Sequence, residues 1–375
     1  MENRIKITEY FENAETIEEH NGYYYSAGRA LTIVILGSIC GLRNLSLIHQ
    51  WAVNEKIREF LNEKFDIMFI PCYSWLTILM KIINPISLNE CFIKWARTLM
   101  PETLKDLTIS FDGKTVRSTG KMEGYEEPLH IVSAYIAELG LTAGQKAVDG
   151  KSNEIPAVRE LIELLDISGC MVVADALNCQ KKTAKAIIDG GGDYLLNVKD
   201  NQETLKKDIE DYVQDDDLRK TMDSAYTLEK NRDRIEHRMA YSTNDIDWLP
   251  NKDEWESLAC IGAINRKVTN KKETTNEWHY YISSRQLTAE EILNYARKEW
   301  SVEKMHWLLD VHFNEDFCRA EDINIQKNLN IVRKVVLNSV NEYKTKTNSK
   351  LPLTKLMLNC LIDCGFILKI LSAIS

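Results

Sequence analysis

Residues 168–199 read SGCMVVADALNCQKKTAKAIIDGGGDYLLNVK. Two short apolar runs, MVVA and YLLNV, flank a segment whose apolar residues recur at helical spacing and which ends in three glycines, a helix-stop signal. A buried strand, a helix and a second buried strand make a βαβ unit, in which the helix covers one face of the sheet. This stretch therefore predicts an α/β fold.

The segments upstream extend the same sheet. LTISFDG at 107–113 is a short apolar strand, and LHIVSAYIAE at 129–138 and LTAGQKAV at 141–148 form a hairpin across Leu139–Gly140. Residues 156–166, PAVRELIELLD, have the spacing of a further helix. A hairpin followed by βαβ units predicts a mixed sheet flanked by helices, which is the ribonuclease H-like arrangement.

The rest of the chain divides into three parts. Residues 1–100 carry apolar residues at three- and four-residue spacing and predict an N-terminal helical domain, followed by a catalytic domain over 101–375. Within the second domain, polar strand patterns such as RIEHRMAYS and EWHYYISS predict a β-rich insertion at about 214–286. Helical spacing returns over 288–312 and 325–343, and the end of the chain predicts one amphipathic helix.

Composition limits the class of protein. The 375 residues are 44% hydrophobic and 27% charged, which is ordinary for a globular chain. The N-terminus lacks the basic start and apolar block of a signal peptide, and the apolar stretch at 31–42 is shorter than the roughly 20 residues that span a bilayer. We therefore expect a soluble, cytoplasmic protein with no membrane association.

Charge and cysteine content set two further expectations. The nine cysteines show no CxxC pairing, so they are interpreted as reduced core thiols and not as zinc ligands or disulfides. The net charge of −9 disfavours a uniformly DNA-binding surface, because affinity for phosphates comes from Lys and Arg. The acids are unevenly placed, however, with a dense run at 210–217, and a negative net charge is compatible with a basic surface elsewhere on the molecule.

Three acids lie where a catalytic acid belongs. Asp112 follows the apolar run TISF, Asp175 follows MVVA, and Glu303 lies on the helix that begins near Thr288. Strand ends meet at the carboxyl edge of an open α/β sheet, and adjacent strands are about 5 Å apart, so two such acids can share a metal site. Carboxylate oxygens suit Mg²⁺, which stabilises the attacking and leaving oxygens in phosphoryl transfer.

Each acid also has an ordinary structural interpretation. Taken singly, Asp112 fits an Asp-Gly turn, Asp175 fits a helix N-cap, and a helical glutamate is usually solvated. The third acid is also ambiguous in position, because Glu299 and Asp310 lie near the helix stripe of Glu303, together with His306. Spacing alone does not choose among these three acids.

Several long motifs resemble the H-repeat-associated group of insertion-sequence DDE transposases. They are ISFDGKTVRSTG at 109–120, LHIVSAY at 129–135, DGKSNEIPAVRELIELLDISGCMVVADALNCQK at 149–181, GGDYLLNVKDNQ at 191–202 and WSVEKMHWLLDVHFNEDFCR at 300–319. The resemblance implies a ribonuclease H-like core with an inserted β-domain. It assigns the catalytic, metal-binding acids to Asp112, Asp175 and Glu303, and Trp300 and Trp307 are then expected to pack the helix of Glu303 against the core.

The same resemblance implies the activity and the partners. We expect a transposase that binds its element's ends and cuts and joins DNA with Mg²⁺, with Mn²⁺ as a substitute. Its partners would be double-stranded DNA, at the element ends and at the target, and a second subunit, with which it would form a homodimer in the DNA complex. The protein would be associated with the nucleoid when it acts. Predicted DNA-contacting residues are Lys114, Arg117, Lys199, Arg234, Arg238 and Lys304.

Two other functions stay open at this point. A nuclease of the same fold would cut DNA without joining it, and a DNA-binding protein derived from a transposase would bind ends without cutting them. For the arginines of the insertion, a solvated strand face is the alternative to DNA contact.

Overall fold

The computed structural model describes residues 7–17, 26–121, 127–149, 154–271 and 273–374. Its helices are α1 (Ile7–Phe11), α2 (Ala27–Ile39), α3 (Leu45–Ala52), α4 (Glu55–Phe65), α5 (Tyr73–Ile82), α6 (Pro85–Thr98), α7 (Glu154–Leu164), α8 (Lys181–Asp189), α9 (Glu203–Gln214), α10 (Asp216–Thr221), α11 (Ala289–Glu299), α12 (Ser301–Phe313), α13 (Ile323–Thr347), α14 (Leu353–Ile362) and α15 (Cys364–Ser372). Its strands are β1 (Thr108–Thr115), β2 (Leu129–Ile136), β3 (Leu141–Asp149), β4 (Met171–Ala174), β5 (Asp193–Val198), β6 (Asp223–Asn231), β7 (Arg234–Thr243), β8 (Cys260–Thr269) and β9 (Thr274–Ser283).

One mixed sheet runs through the described part of the molecule, with strand order β3-β2-β1-β4-β5-β9-β8-β7-β6. β1 is parallel to β4, β4 is parallel to β5, and β2 and β3 form the predicted hairpin, in which Gly140 takes the positive φ of 66° that its turn requires. Helices lie on both faces of this sheet. The predicted ribonuclease H-like α/β fold class, a mixed sheet flanked by helices, is confirmed.

The inserted strands extend this sheet. β9 pairs antiparallel with β5 over Leu195–Val198, and β8, β7 and β6 follow outward as an antiparallel meander. The first of them in sequence, β6, was not predicted, because DSAYTLEKN is polar and mostly exposed. Since the pairing is continuous, the cationic strand β7 is held in a definite position relative to the ends of β1 and β4.

Alternation along the strands distributes the core between the two faces. Val172 and Ala174 of β4 pack with α7, α8 and α9 on one face, whereas Met171 and Val173 pack with α11 on the other. α11 begins with a capping box between Thr288 and Glu291. As a result, α11 covers the face of the sheet that carries Met171 and Val173, and α12 follows it next to β1.

The predicted continuous helix over 288–312 is wrong. α11 ends at Glu299 and α12 begins at Ser301, with Trp300 between them, so Glu299 and Glu303 do not share one uninterrupted helix. The terminal helix is also two helices, α14 and α15, and Asp363 between them accepts a hydrogen bond from the amide of Gly365. Apolar spacing detects the helical segments but not the break between two of them.

A second core joins the two ends of the chain. Helices α1 to α6 pack in one hydrophobic cluster with α12, α13, α14 and α15, and α13 is buried continuously from Asn328 to Val340. The boundary at about residue 100 therefore stays a prediction, and the packing crosses it. Six of the nine cysteines are buried free thiols. No helix among the described residues is long and apolar enough to cross a bilayer.

A buried ion cluster fastens the end of α12 to β1 and α13. Glu315 is fully buried, and its carboxylate accepts from Lys114 Nζ at 2.7 Å and from Asn330 Nδ2 at 2.7 Å, with Arg333 Nη1 3.3 Å away. Asp310 also pairs with Lys114, at 2.5 Å. Burial alone would raise the pKa of Glu315, but Arg333 and Lys114 outweigh it and lower the pKa to about 2.

The predicted packing role of the two tryptophans of this segment is wrong. Trp300 is 59% exposed and Trp307 is 57% exposed. α12 packs instead through Val302, Met305 and Leu309. The ion cluster and these apolar residues therefore set the position of α12.

We predict that Glu315→Ala destabilises the protein by about 3–5 kcal/mol at neutral pH, because it leaves the buried charges of Lys114 and Arg333 unpaired. Chemical denaturation measures this free energy of unfolding. Since the pKa of Glu315 is about 2 in the folded protein, below its ordinary value of 4.5, its contribution is present above about pH 4.5 and is lost as the pH falls toward 2. The difference in free energy of unfolding between the wild type and the variant should therefore decrease as the pH falls through that range.

Asp189→Ala is the matched control, because Asp189 pairs with Lys185 on the exposed surface of α8. Its loss should cost far less stability than the loss of Glu315, because solvent screens an exposed pair. Equal losses in the two variants would contradict a special role for the buried cluster.

Candidate active site

The two strand-borne acids emerge side by side from the centre of the sheet. Parallel pairing of β1 with β4 ends at Phe111 and Ala174, and Asp112 and Asp175 are the next residues in register. β1 continues to Thr115, with Asp112 opposite Ser133 of β2, so Asp112 is neither at a strand end nor in a turn. Asp175 does cap a short 3₁₀ helix, accepting from the amide of Asn178 at 3.2 Å.

A cavity of about 560 Å³ opens at this point of the sheet. Asp112, Asp175, Glu299 and Glu303 all line it. His306 Nδ1 lies 3.3 Å from Asp112 Oδ2, on the α12 side. Asp310 does not line the cavity and pairs with Lys114 instead, which separates it from the other two helical acids.

Asp175, Glu299 and Glu303 each have a pKa above the ordinary value of a carboxyl group. Burial raises the pKa of Asp175, with Glu154 and Asp112 adding to the shift against hydrogen bonds from Asn178. Burial, then the charge of Asp175, raises the pKa of Glu299 to about 8. Glu303 is more exposed to solvent. Partial burial of its carboxyl group, and then the charge of Asp112, raise its pKa to a smaller extent. Clustered carboxylates of this kind are relieved by a cation.

The donor chemistry fits a hard divalent cation such as Mg²⁺, which prefers carboxylate oxygens. Asp112 and Asp175 would supply two ligands, and Glu299 and Glu303 both reach the same cavity. No group of three His, Cys, Asp or Glu side chains in the described ranges is already closed around a metal position. The two aspartates are therefore held in place by strand pairing, whereas the third acid comes from a separate helix.

A buried hydrogen-bond chain lies behind Asp175. Asn178 Nδ2 donates to Asp175 Oδ1 and to Glu154 Oε1, each at 3.1 Å. Glu154 Oε2 lies 2.9 Å from His130 Nε2, and His130 Nδ1 lies 3.0 Å from Thr115 Oγ1. Asn178, Glu154 and His130 are almost wholly buried. Such a chain orients the Asp175 carboxylate as outer hydrogen bonds orient metal ligands.

Sequence reasoning did not single out these residues. His130 lies in LHIVSAY, Glu154 in DGKSNEIPA and Asn178 in VADALNC, all within the motifs that carry the resemblance. A polar residue inside an otherwise apolar strand, as His130 is in β2, was the available signal, because a buried polar group needs a partner.

The predicted DNA-contacting residues divide by location. Lys199, Arg234 and Arg238 line the cavity, facing the acids. Lys114 is only 13% exposed and is held by three carboxylates, so its predicted DNA contact is not supported by its position. The remaining two, Arg117 and Lys304, are exposed and lie outside the lining.

Gly113 makes the hydrogen-bond chain possible, and we predict that Gly113→Ala disrupts it. A Cβ atom at Gly113 would lie 2.5 Å from Glu154 Oε2 and closer still to His130 Nε2. Overpacking of this kind costs about 1–3 kcal/mol. Thermal and chemical unfolding measure the loss.

Gly120→Ala is the matched control from the same part of the chain. The three atoms nearest to its Cβ would all belong to Pro128, the closest at an ordinary 3.4 Å. We expect the stability of this variant to stay near that of the wild type, and a Gly113→Ala variant as stable as Gly120→Ala would contradict the close packing.

Known proteins with similar sequences point to one family. Residues 103–339 match the family model described as a transposase DDE domain. The chain is 33% identical over 323 residues to the "H repeat-associated putative transposase YhhI" of Escherichia coli strain K12, covering 82% of this chain and 84% of that protein. It is 36% identical over 276 residues to "Putative protein YbfL" of the same strain, covering 72% and 73%.

A solved piggyBac transposase synaptic complex with hairpin DNA has a TM-score of 0.46 and 10% identity, covering 98% of this chain and 79% of that chain. The match to the family model spans the strands that carry Asp112 and Asp175 and the helix that carries Glu303. On these sequence matches, the chain belongs to the DDE transposase family, in its H repeat-associated group.

Proposed function

We propose that the protein binds the ends of its own insertion sequence and catalyses Mg²⁺-dependent DNA cleavage followed by strand transfer. The observation that carries the proposal is the placement of Asp112 and Asp175 next to each other at the point where β1 and β4 part, in a cavity that Glu303 also lines. Members of the DDE transposase family generally use divalent metal, and these acids suit it.

The residues divide the work of the reaction. Asp112, Asp175 and Glu303 would hold two Mg²⁺ ions, which when bound supply an activated water and stabilise charge on the phosphate. The hydrogen-bond chain behind Asp175 would keep the Asp175 carboxylate oriented. His306, whose Nδ1 lies 3.3 Å from Asp112 Oδ2, would do the same for the Asp112 carboxylate. Water attack on the phosphodiester leaves a 3′-hydroxyl on the element, and the same site then orients this hydroxyl against a target phosphodiester.

Double-stranded DNA, first at the element ends and then at the target, is the substrate, and two subunits act together in the DNA complex. The protein would work in the cytoplasm, on the nucleoid. Binding needs a cationic surface despite the overall charge of −9, and Lys199, Arg234 and Arg238 supply one beside the acids.

We predict that Asp112→Asn and Asp175→Asn abolish cleavage of end DNA and keep DNA binding, because an amide preserves shape and loses the ligand charge. Cleavage in Mg²⁺ or Mn²⁺ and gel shifts on the same preparations measure both properties. Asp189→Asn, in an exposed surface pair, is the control and should cut normally. Cleavage that persists in EDTA would exclude the metal mechanism.

We predict that Glu303→Gln lowers cleavage by orders of magnitude, whereas Glu299→Gln and Asp310→Asn lower it much less. The reason is that the family motif assigns the third ligand to Glu303, and Asp310 is paired with Lys114 outside the cavity lining. Single-turnover cleavage rates rank the three variants. The reverse order for the two glutamates would move the third ligand to Glu299.

A further inference from the structure

The cavity has a second wall with the opposite charge. Arg234, Glu236 and Arg238 alternate along β7 and therefore point to one face, and Arg266 of β8 lies directly opposite Arg238. All four line the same cavity as the catalytic acids. Cross-strand neighbours of like charge are unfavourable unless something else holds them.

The carboxylate of Glu236 holds these like charges together. It contacts Arg238 Nη2 at 2.6 Å, Arg266 Nε at 2.5 Å and Arg234 Nη2 at 2.9 Å. Three guanidinium groups therefore share one carboxylate at hydrogen-bond distance. Two outer carboxylates stand farther off and are about half exposed: Glu229 is 3.6 Å from Arg238 Nη1 and also pairs with Arg297, and Glu277 is 3.6 Å from Arg266 Nη1.

One donor of this cluster has no hydrogen-bond acceptor among the residues that the structure describes. Arg238 Nη1 is buried and makes no hydrogen bond to any of them, since Glu229 lies beyond bonding distance. Burial lowers the pKa of Arg238, and the charges of Arg266 and Arg234 lower it further against the pull of Glu236. Burial also lowers the pKa of His279, with Lys199, Arg266 and Arg238 adding to the effect. A buried donor among crowded cations favours an incoming anion.

We propose that Arg234, Arg238 and Arg266, held by Glu236, bind a backbone phosphate of DNA without any metal ion. The planar fork of arginine matches phosphate oxygens two at a time, which makes arginine clusters suited to this ligand. The facing acids repel phosphate until a cation is bound, so the arginines can bind the DNA strand before the metal arrives. A phosphate seated there would set which phosphodiester reaches the acids.

This inference rests on the proposed function and names the part of the substrate that the second wall holds. It differs in needing neither metal nor cleavage. If the wild type binds end DNA in EDTA but never cuts it, the proposed function fails and the phosphate site stands. If cutting is normal and loss of an arginine leaves binding unchanged, the phosphate site fails alone.

The test measures binding of a labelled end-DNA duplex in EDTA by fluorescence anisotropy over a range of salt concentrations. Arg266→Gln should weaken binding and reduce the slope of log affinity against log salt by about one, the value for one lost phosphate contact. Arg266→Lys keeps the charge and should keep most of the slope. Lys185→Gln is the control, because α8 covers the opposite face of the sheet, and it should bind as the wild type does.

Glu236→Gln separates a phosphate site from a purely structural cluster. It removes three ion pairs, so a structural role predicts weaker DNA binding. A phosphate site predicts equal or tighter binding with a steeper salt slope, because the wall gains one positive charge. Thermal unfolding checks that each variant is folded. Unchanged affinity and slope in folded Arg266→Gln, or weaker binding by folded Glu236→Gln, would overturn the proposal.

Competition with inorganic phosphate identifies the source of the ligand. If the site takes backbone phosphate, free phosphate should displace the duplex no better than sulfate at equal ionic strength. Selective displacement by inorganic phosphate would overturn the backbone assignment in favour of a small free phosphate ligand.

Discussion

The parallel pairing of β1 with β4 is the constraint on which the candidate site depends. It stops at Phe111 and Ala174, so that the next residue of each strand is an aspartate whose side chain is free to face the cavity. Strand spacing then sets the distance between the two carboxylates, and no flexible loop separates either from the sheet. A site built on strands in this way is held more rigidly than one built on loops.

Around this pair, each supporting element solves a problem of buried charge. The chain from Asp175 through Asn178 and Glu154 to His130 gives every step a partner within 3.1 Å. On the other side, Glu315 forms ion pairs with Lys114 of β1 and Arg333 of α13, and these pairs hold the segment after α12 against both elements. Buried polar groups are costly unless paired, so both networks specify one arrangement of the helices that bring the third acid.

The two walls of the cavity explain how an acidic protein can belong to a family of DNA-acting enzymes. The negative charge is concentrated elsewhere, as in the run at 210–217, and at the wall of the cavity that carries the acids. The facing arginines come from the inserted strands, which continue the sheet of β1 and β4 through the short pairing of β5 with β9. The insertion thereby forms part of the cavity that contains the acids.

The sequence by itself determined the secondary structure of the core. MVVAD and TISFD are mostly apolar runs that end in an acid, and this local pattern predicts two buried strands with an acid beside each, whereas the continuation of β1 past Asp112 to Thr115 depends on its pairing with β2. Tertiary structure decided the rest, because it depends on residues far apart in the chain. Apolar spacing could not reveal the break at Trp300 or the exposure of Trp300 and Trp307, and polar β6 carried no strand signal. Arg266 reaches the site only through its register with Arg238, and Glu154 reaches His130 only because α7 packs against β2. No local pattern encodes either contact.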